Sequence, residues 1–219
     1  MLKFDVITIL PNFFDSFLKE SLIKRALDNK LIKINIHNLR KYTKGKHKIV
    51  DDTPYGGGPG MIIKIEPIFK NLQFIRSKIK SKKVKTIFLS PRGKKFSQDV
   101  AKKWAKLDNL IIVSGRYEGV DERAKDLCDE IVSTGDFITL GGEVSSMAMI
   151  EAVARLVPGV VGKRNSIEKL DFPQYTRPEQ IMVKTQNGKQ KKLSVPKVLL
   201  SGDHKKIQEW RDEHSVKIQ

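Results

Sequence analysis

The first forty residues alternate between two hydrophobic patterns. Residues 2–10 and 31–37 place apolar side chains at every second position and are rich in β-branched residues, which is typical of β-strands. Between them, residues 13–29 carry apolar side chains at helical spacing after a break at Pro11 and Asn12. The pattern predicts a strand, a helix and a second strand.

The alternation of helical and strand patterns continues as far as residue 156. The predicted helices are 66–80, 97–107, 120–127 and 142–156, and the predicted strands are 84–89, 110–113 and 130–133. Strands that alternate with helices at this spacing form βαβ units around a parallel sheet, which is buried on both faces. The predicted fold class is therefore α/β, with a parallel sheet covered by helices on both faces.

The character of the chain changes after Pro158 and Gly159, which end the last of these helices. Residues 161–190 lack clear periodicity, whereas 195–218 predict a short turn and a helix capped by the run 201–203. We predict a main domain over 1–160, a linker over 161–193 and a small helical C-terminal element over 194–219. Such a small element must dock on the main domain, a second subunit or a ligand.

Composition excludes several classes of protein. With 219 residues and 39% hydrophobic side chains the chain can bury a core, and no apolar run reaches the roughly 18 residues that a membrane span needs. The first ten residues lack the basic segment and cleavage site of a signal peptide. One cysteine, Cys128, cannot form an internal disulfide. We expect a cytoplasmic protein with no membrane partner.

Positive charge is concentrated in one part of the chain. The formal net charge is +17, which predicts attraction to polyanions such as nucleic acid. Residues 76–106 hold 12 basic side chains and one acidic side chain, whereas residues 107–155 hold four basic and ten acidic side chains. A uniform preference for lysine would have raised the charge everywhere.

The densest glycine cluster is DDTPYGGGPGM at residues 51–61. Glycines there allow backbone amides to approach an anion or another ligand. The run lacks the lysine and hydroxyl residue of a phosphate-binding P-loop, and it lacks the spacing of a dinucleotide fingerprint. A tight surface loop and a nucleotide-phosphate site are both compatible with it.

Three further glycine-bearing loops follow predicted strands, at residues 90–93, 114–119 and 134–143. In parallel α/β sheets, ligands bind outside the carboxyl ends of the strands. Three such loops at three strand ends predict a pocket for a flat, polar cofactor that main-chain groups hold.

Charged residues near these loops have alternative interpretations. Glu118, Asp121 and Glu122 could hold a divalent cation or pair with Arg116 and Arg123.

Arg155, at the end of an apolar helix, is either a partner of the helix dipole or a cation directed into the cleft. The four histidines show no ligand spacing, so metal-centred and nucleophilic catalysis are not supported.

Seven motifs, in register from Met1 to about Trp210, together resemble the bacterial tRNA (guanine-N1)-methyltransferase family. They are DDTPYGGGPGM at 51–61, LSP at 89–91, GRYEGVDER at 115–123, GD at 135–136, GGE at 141–143, YTRP at 175–178 and VLLSGDH at 198–204. The resemblance implies a homodimer of the SPOUT type, with a deep trefoil knot in the parallel sheet and S-adenosylmethionine bound in a bent pose within the knot. The implied substrate is the guanine 3′ of the anticodon in tRNA, methylated at N1.

The resemblance also implies the residues of the site. The methyl donor should contact Ser90, Pro91, Gly115, Tyr117, Glu118, Gly119, Thr134, Gly135, Asp136, Phe137, Ile138, Thr139, Leu140, Gly141 and Gly142. Arg155 matches the family's catalytic cation, and magnesium near Glu118 is a candidate cofactor. Attack by guanine N1 also requires a carboxylate base, because N1 holds its proton at neutral pH.

This chain departs from the family where that base is expected. The family has an Asp-Ser-Phe segment about fifteen residues after the arginine, but here 162–169 pass directly to LDFP at 170–173, about seven residues shorter. Glu168 and Asp171 are the candidate substitutes, and we select Asp171. The chain also inserts KTQNGKQKK at 184–192 and ends soon after Trp210, so we expect a truncated C-terminal element that binds tRNA. An enzyme and a tRNA-binding protein that keeps the pocket without turnover are the two hypotheses.

Overall fold

The computed structural model describes residues 1–162, 172–185 and 187–215. These residues form two compact units, Met1–Ile167 and Glu168–Gln219. The strands are β1 Leu2–Thr8, β2 Ile32–Asn38, β3 Asp51–Asp52, β4 Ile62–Ile63, β5 Val84–Lys95, β6 Asn109–Val113, β7 Glu130–Ser133, β8 Gln180–Lys184 and β9 Gln190–Ser194. The helices are α1 Asp15–Lys19, α2 Ser21–Asp28, α3 Ile65–Ser77, α4 Gln98–Trp104, α5 Gly142–Ala154, α6 Lys197–Leu200 and α7 His204–Glu213, and 3₁₀ turns occupy Pro11–Phe14, Leu39–Tyr42 and Glu122–Leu127.

The first unit is built on a five-stranded sheet in the order β2-β1-β6-β5-β7. Every pair of neighbouring strands in it is parallel. The predicted α/β class and parallel sheet are therefore confirmed.

Two hydrophobic cores cover the two faces of this sheet, because side chains along a strand alternate between faces. Phe4 and Val6 of β1 face one core, with residues of α1, α2, α4 and α5 packed nearby. Ile7 of β1 and Ile111 of β6 face the other core, which α3 and two of the 3₁₀ turns cover. The prediction that helices cover both faces of the sheet is therefore confirmed.

The helix predicted over residues 13–29 is instead broken into a 3₁₀ turn and two short helices. Glu20 is extended and Ser21 has a φ of 59°. Phe14 and Ile23 are both buried in the first core, yet they are nine residues apart, which is about two and a half turns of helix. One continuous helix would direct these two side chains to opposite sides, so the break at 20–21 allows both to be buried.

A β-hairpin that the pattern analysis missed begins within the predicted linker 161–193 and ends at residue 194. Strands β8 and β9 pair antiparallel, with Ile181 opposite Leu193 and Lys184 opposite Gln190. Nearly every residue of the hairpin is exposed. With neither face buried, the hairpin has no alternation of apolar and polar residues to reveal it.

The C-terminal helix begins at the predicted cap. The Asp203 carboxylate accepts hydrogen bonds from the backbone amides of Lys205 and Lys206, at 3.1 and 3.2 Å. Trp210 stacks on His214 with ring centroids 4.2 Å apart.

Throughout the described ranges, none of the helices combines the length and apolar character that crossing a bilayer requires.

A buried polar cluster joins three strands of the sheet. Asp5 is 5% exposed and accepts hydrogen bonds from Asn35 at 2.9 Å and Asn109 at 3.3 Å, and its carboxylate lies 2.8 Å from His37 Nε2. Burial by itself would raise the pKa of Asp5, but the hydrogen bonds from His37 and the two asparagines outweigh it and lower the pKa below its usual 3.8. The ionised carboxylate is thus part of the folded structure.

Asp5→Ala should lower the free energy of unfolding by about 3 kcal/mol, because it leaves three polar side chains without their buried partner. The folded-state pKa of Asp5 is lowered, so its contribution is complete above the unfolded-state pKa and is lost as the pH falls through the folded-state value. The difference in stability between wild type and variant should therefore be larger at about pH 5 than at about pH 3. Urea titrations at each pH measure it, and a difference that grew on acidification would contradict this role.

Candidate functional site

A cavity of about 510 Å³ lies beside the irregular stretch of β5 between Leu89 and Lys94 and the carboxyl ends of β6 and β7. The range 90–93, predicted as a loop, is instead part of β5, which lies between β6 and β7 in the sheet. The wall of the cavity includes residues 90–92, 115–119, 134 and 137–142. Residues from all three predicted loop ranges therefore line one cavity.

Most of the residues expected to contact a cofactor line this cavity. They are Ser90, Pro91, Gly115, Tyr117, Glu118, Gly119, Thr134, Phe137, Ile138, Thr139, Leu140, Gly141 and Gly142. Gly135 and Asp136 are not among the lining residues. The Asp136 carboxylate instead pairs with Lys95 at 2.5 Å, and the Gly135 carbonyl accepts a hydrogen bond from Ser133 Oγ.

The wall also includes residues that were not among the expected cofactor contacts. They are Leu89, Arg92, Arg116, Val132, Ser133 and Ser145. Ser145 lies one turn into α5, and its Oγ is 3.1 Å from Thr134 Oγ1. Ser145 follows Gly142 by three residues in a predicted helix, so the two residues lie on the same face of that helix. This spacing could have indicated Ser145 from the sequence.

Glu143 joins the second and third pocket loops to the end of β1. Its carboxylate is fully buried and accepts hydrogen bonds from Thr8 Oγ1 at 2.7 Å and from Arg116 Nε at 3.0 Å. The expected pairing of Arg116 with Glu118, Asp121 or Glu122 is therefore wrong. Sequence order concealed the true partner, because Glu143 is 27 residues away from Arg116.

Two glycines allow the second and third loops to touch. The Gly142 amide donates a hydrogen bond to the Gly115 carbonyl at 2.8 Å. A Cβ atom on Gly142 would lie 2.9 Å from Ser114 Cα, and one on Gly141 would lie 2.5 Å from Arg116 Nε. A side chain at either position would push the loops apart.

The glycine-rich run 56–60 packs beside the second pocket loop. The Glu118 amide donates to the Met61 carbonyl at 3.2 Å, and the Ile63 amide donates to the Gly119 carbonyl at 3.0 Å. Gly60 has a φ of +73°, and a Cβ there would lie 2.5 Å from Glu118 Cγ. The run supports the loop that carries Glu118, and its glycines do not line the cavity.

The acidic residues after the second loop form ion pairs. Asp121 pairs with Arg123 at 2.7 Å, which lowers the pKa of Asp121, and Glu122 pairs with Arg92 at 3.1 Å and with Lys125. Within residues 1–162, 172–185 and 187–215, no three His, Cys, Asp or Glu side chains are grouped closely enough to hold a metal ion. The expectation of magnesium near Glu118 therefore has no support.

Cys128 is a largely buried thiol. Burial raises its pKa to about 12, so the thiol stays protonated at neutral pH. Its Sγ lies 3.4 Å from the Ala124 carbonyl, next to the second core. This placement agrees with a packing role.

Arg155, the residue expected to supply the catalytic cation, is not among the described residues that line the cavity. Arg155 follows the last residue of α5, whose first residue, Gly142, is at the cavity. Thirteen residues of helix separate the two, which is about 20 Å along the axis. Asp171, and the alternative Glu168, lie outside the described residues.

A parallel α/β sheet with glycine-bearing loops around a cavity of this size at its carboxyl edge defines a protein that binds a small polar ligand through main-chain groups. A family model described as tRNA (Guanine-1)-methyltransferase TrmD matches residues 2–218. The chain belongs to this family, and the resemblance carried by its motifs is confirmed.

Curated relatives agree with this assignment over nearly the whole chain. Similar proteins named tRNA (guanine-N(1)-)-methyltransferase include one from Geobacter sulfurreducens, 41% identical over 99% of this chain and 87% of the relative. Another, from Acholeplasma laidlawii, is 43% identical over 97% of this chain and 85% of the relative. A third, from Clostridium acetobutylicum, is 45% identical over 99% of this chain and 87% of the relative.

Proposed function

We propose that this chain transfers a methyl group from S-adenosylmethionine to N1 of the guanine 3′ of the anticodon in tRNA. The observation that carries the proposal is that residues from all three predicted loop ranges line one cavity, in a chain of the tRNA (guanine-1)-methyltransferase family. The net charge of +17 supports a polyanionic substrate.

The lining of the cavity fits S-adenosylmethionine. A volume of about 510 Å³ is in the range of small-molecule sites, and close-packed glycine backbone leaves main-chain groups near the ligand. Phe137, Ile138 and Leu140 offer apolar surface to a base, and Glu118 offers a carboxylate to hydroxyl groups or positive charge. When bound, S-adenosylmethionine supplies an electrophilic methyl group.

The protein must remove one proton and stabilise one negative charge on the guanine. A carboxylate takes the proton from N1, and we assign this to Asp171, with Glu168 as the alternative. Negative charge then develops on O6, and we assign its stabilisation to the Arg155 guanidinium. The guanine must also leave its base stack to enter the cavity. Protein contacts to the RNA backbone offset the free-energy cost of this step.

We propose a homodimer in which Arg155 of the partner subunit completes each site. The length of α5 supports this, since about 20 Å of helix separate Arg155 from the cavity of its own chain. Exposed apolar side chains beside the cavity also support it: Ile138 is 86% exposed and Leu140 is 88% exposed. Such a patch is more favourably covered by a second subunit or by a ligand than left in water.

The finer expectations about architecture belong to the same proposal. We propose the trefoil knot of the SPOUT type, supported by the return of the chain at Gly141 and Gly142 across the loop at Gly115 and Arg116. Residues 1–160 would be the catalytic domain, 161–193 the connection and 194–219 the tRNA-binding element. A single cysteine and a tRNA substrate support activity in the cytoplasm.

Incubation with radiolabelled S-adenosylmethionine and unmodified tRNA should label the RNA, with the label at N1 of the guanine 3′ of the anticodon. The matched control is the same tRNA with that guanine replaced by adenine, which should stay unlabelled. Calorimetry that showed binding of both S-adenosylmethionine and tRNA without product would instead identify a tRNA-binding protein that keeps the pocket. Labelling of another base would contradict the proposed specificity.

A further inference from the structure

Eight exposed lysines lie together at the amino edge of the large sheet, opposite the cofactor cavity. We call this group the lysine rim; its members are Lys30, Lys33, Lys78, Lys80, Lys82, Lys83, Lys103 and Lys106. They come from three segments, 30–33, 78–83 and 103–106, that lead into β2, β5 and β6. Chain segments that are distant in sequence thus contribute the same charge to one edge.

Backbone hydrogen bonds make the rim continuous. The Lys83 carbonyl accepts from the amides of Asp108 and Asn109, at 2.9 and 3.3 Å, and the Asp108 carbonyl accepts from the Lys3 amide at 2.9 Å. The strands in question are neighbours in the order β2-β1-β6-β5. At about 4.8 Å between strands, the rim extends over roughly 15 Å.

The rim lysines form no ion pairs with acidic residues that the structure describes. Among the residues described by the structure, no carboxylate lies within 4.0 Å of any of the eight rim ammonium groups, and the carboxylate of Asp108 accepts instead from Ser81 Oγ at 2.5 Å. Some lysines elsewhere in the unit do have partners: Lys24 pairs with Asp28 and Lys102 with Asp99. The rim brings to one edge of the sheet eight lysines without an acidic partner in the described part of the chain.

The rim is separate from the reacting base. In β5, Val84 is at the rim end and Leu89 lines the cavity. Five residues of strand span roughly 17 Å. Lysines at that distance cannot touch a guanine in the cavity, but they can neutralise phosphates, and phosphate contacts fix the position of a nucleic acid without reading its sequence.

We propose that the lysine rim binds the sugar–phosphate backbone of the tRNA substrate at a point remote from the methylated guanine. This inference rests on the proposed function. Flexible ammonium groups in a row of about 15 Å match a backbone, which presents a row of phosphates, better than they match a compact anion.

The test compares two triple variants that remove the same charge. K80Q/K82Q/K83Q neutralises three unpaired lysines of the rim, and K24Q/K70Q/K102Q neutralises three lysines that each hold an acidic partner. Affinity for full-length tRNA is measured by fluorescence anisotropy at several salt concentrations. The rim variant should bind about tenfold more weakly at moderate salt, and the slope of log Kd against log salt should fall by about 2 to 3.

The rim variant should raise KM for tRNA while leaving the kcat at saturating tRNA and the Kd for S-adenosylmethionine unchanged. The paired-lysine variant should change the salt slope by less than half as much. Equal effects of the two variants would overturn the inference, because net charge alone would then explain the loss. If the wild type methylates tRNA and the rim variant has an unchanged salt slope, only the proposed role of the rim is overturned. If the wild type neither binds nor methylates tRNA, the proposed function is overturned.

Discussion

Arg155→Ala should lower the kcat for tRNA methylation by about 10² to 10³-fold while leaving the affinity for S-adenosylmethionine unchanged. The proposed role of the guanidinium is to stabilise negative charge that develops on guanine O6 only as the reaction proceeds. Such a loss falls on kcat rather than on KM. Arg155 does not line the cavity, so its removal should not disturb the cofactor site.

The conservative variant Arg155→Lys is the matched control. It keeps the positive charge but loses the planar, forked donor, so its kcat should fall between those of wild type and Arg155→Ala. Single-turnover kinetics with excess enzyme separate the chemical step from product release. Full activity in Arg155→Ala would remove this residue from the mechanism.

A mixture of two inactive variants tests whether Arg155 acts across the dimer. Gly142→Val should disrupt the cavity, since even a Cβ at this position would lie 2.9 Å from Ser114 Cα. After subunit exchange with Arg155→Ala chains, roughly a quarter of wild-type activity should return, because half of the dimers are mixed and each has one complete site. No recovery in a mixture that sedimentation shows to be dimeric would place Arg155 and the cavity in the same chain, and a monomeric wild type at micromolar concentration would contradict the dimer itself.

Glu143→Ala should lower the free energy of unfolding by about 3 kcal/mol and weaken the binding of S-adenosylmethionine at least tenfold. The fully buried carboxylate holds Thr8, at the end of β1, and Arg116, in the second pocket loop. Removing it leaves a partly buried guanidinium and a buried hydroxyl without their acceptor. The second and third loops then lose the contact that fixes their spacing around the cavity.

Glu143→Gln separates shape from charge. Its side-chain carbonyl can still accept from one of the two donors, so stability and cofactor affinity should fall less than in Glu143→Ala. Urea denaturation and calorimetry with S-adenosylmethionine measure the two effects. A Glu143→Ala protein that kept wild-type cofactor affinity would show that the loops hold their positions without this link.

Local patterns were enough to predict where the strands of the sheet lie, except that β5 continues past residue 89 to Lys95. Strands β1, β2, β6 and β7 lie where alternation or an apolar run indicated them, because burial on a sheet face imposes a period of two on the residues themselves. The loops of the site could be found for a similar reason. A glycine after a strand is visible in the sequence itself, because its backbone freedom is needed at that position. Ligands bind at the carboxyl edge of a parallel sheet, so the position of the site follows from the strands.

The amino-acid order alone therefore specified the fold class, the edge that carries the cavity and the family, since each depends on residues close together in the chain. Three-dimensional packing decided what depends on distant residues: the link from Thr8 to Glu143 across 135 positions, the break that buries both Phe14 and Ile23, and the rim assembled from three separate segments. These features have no periodic signature, because the partners meet only once the order of strands in the sheet has brought their segments together.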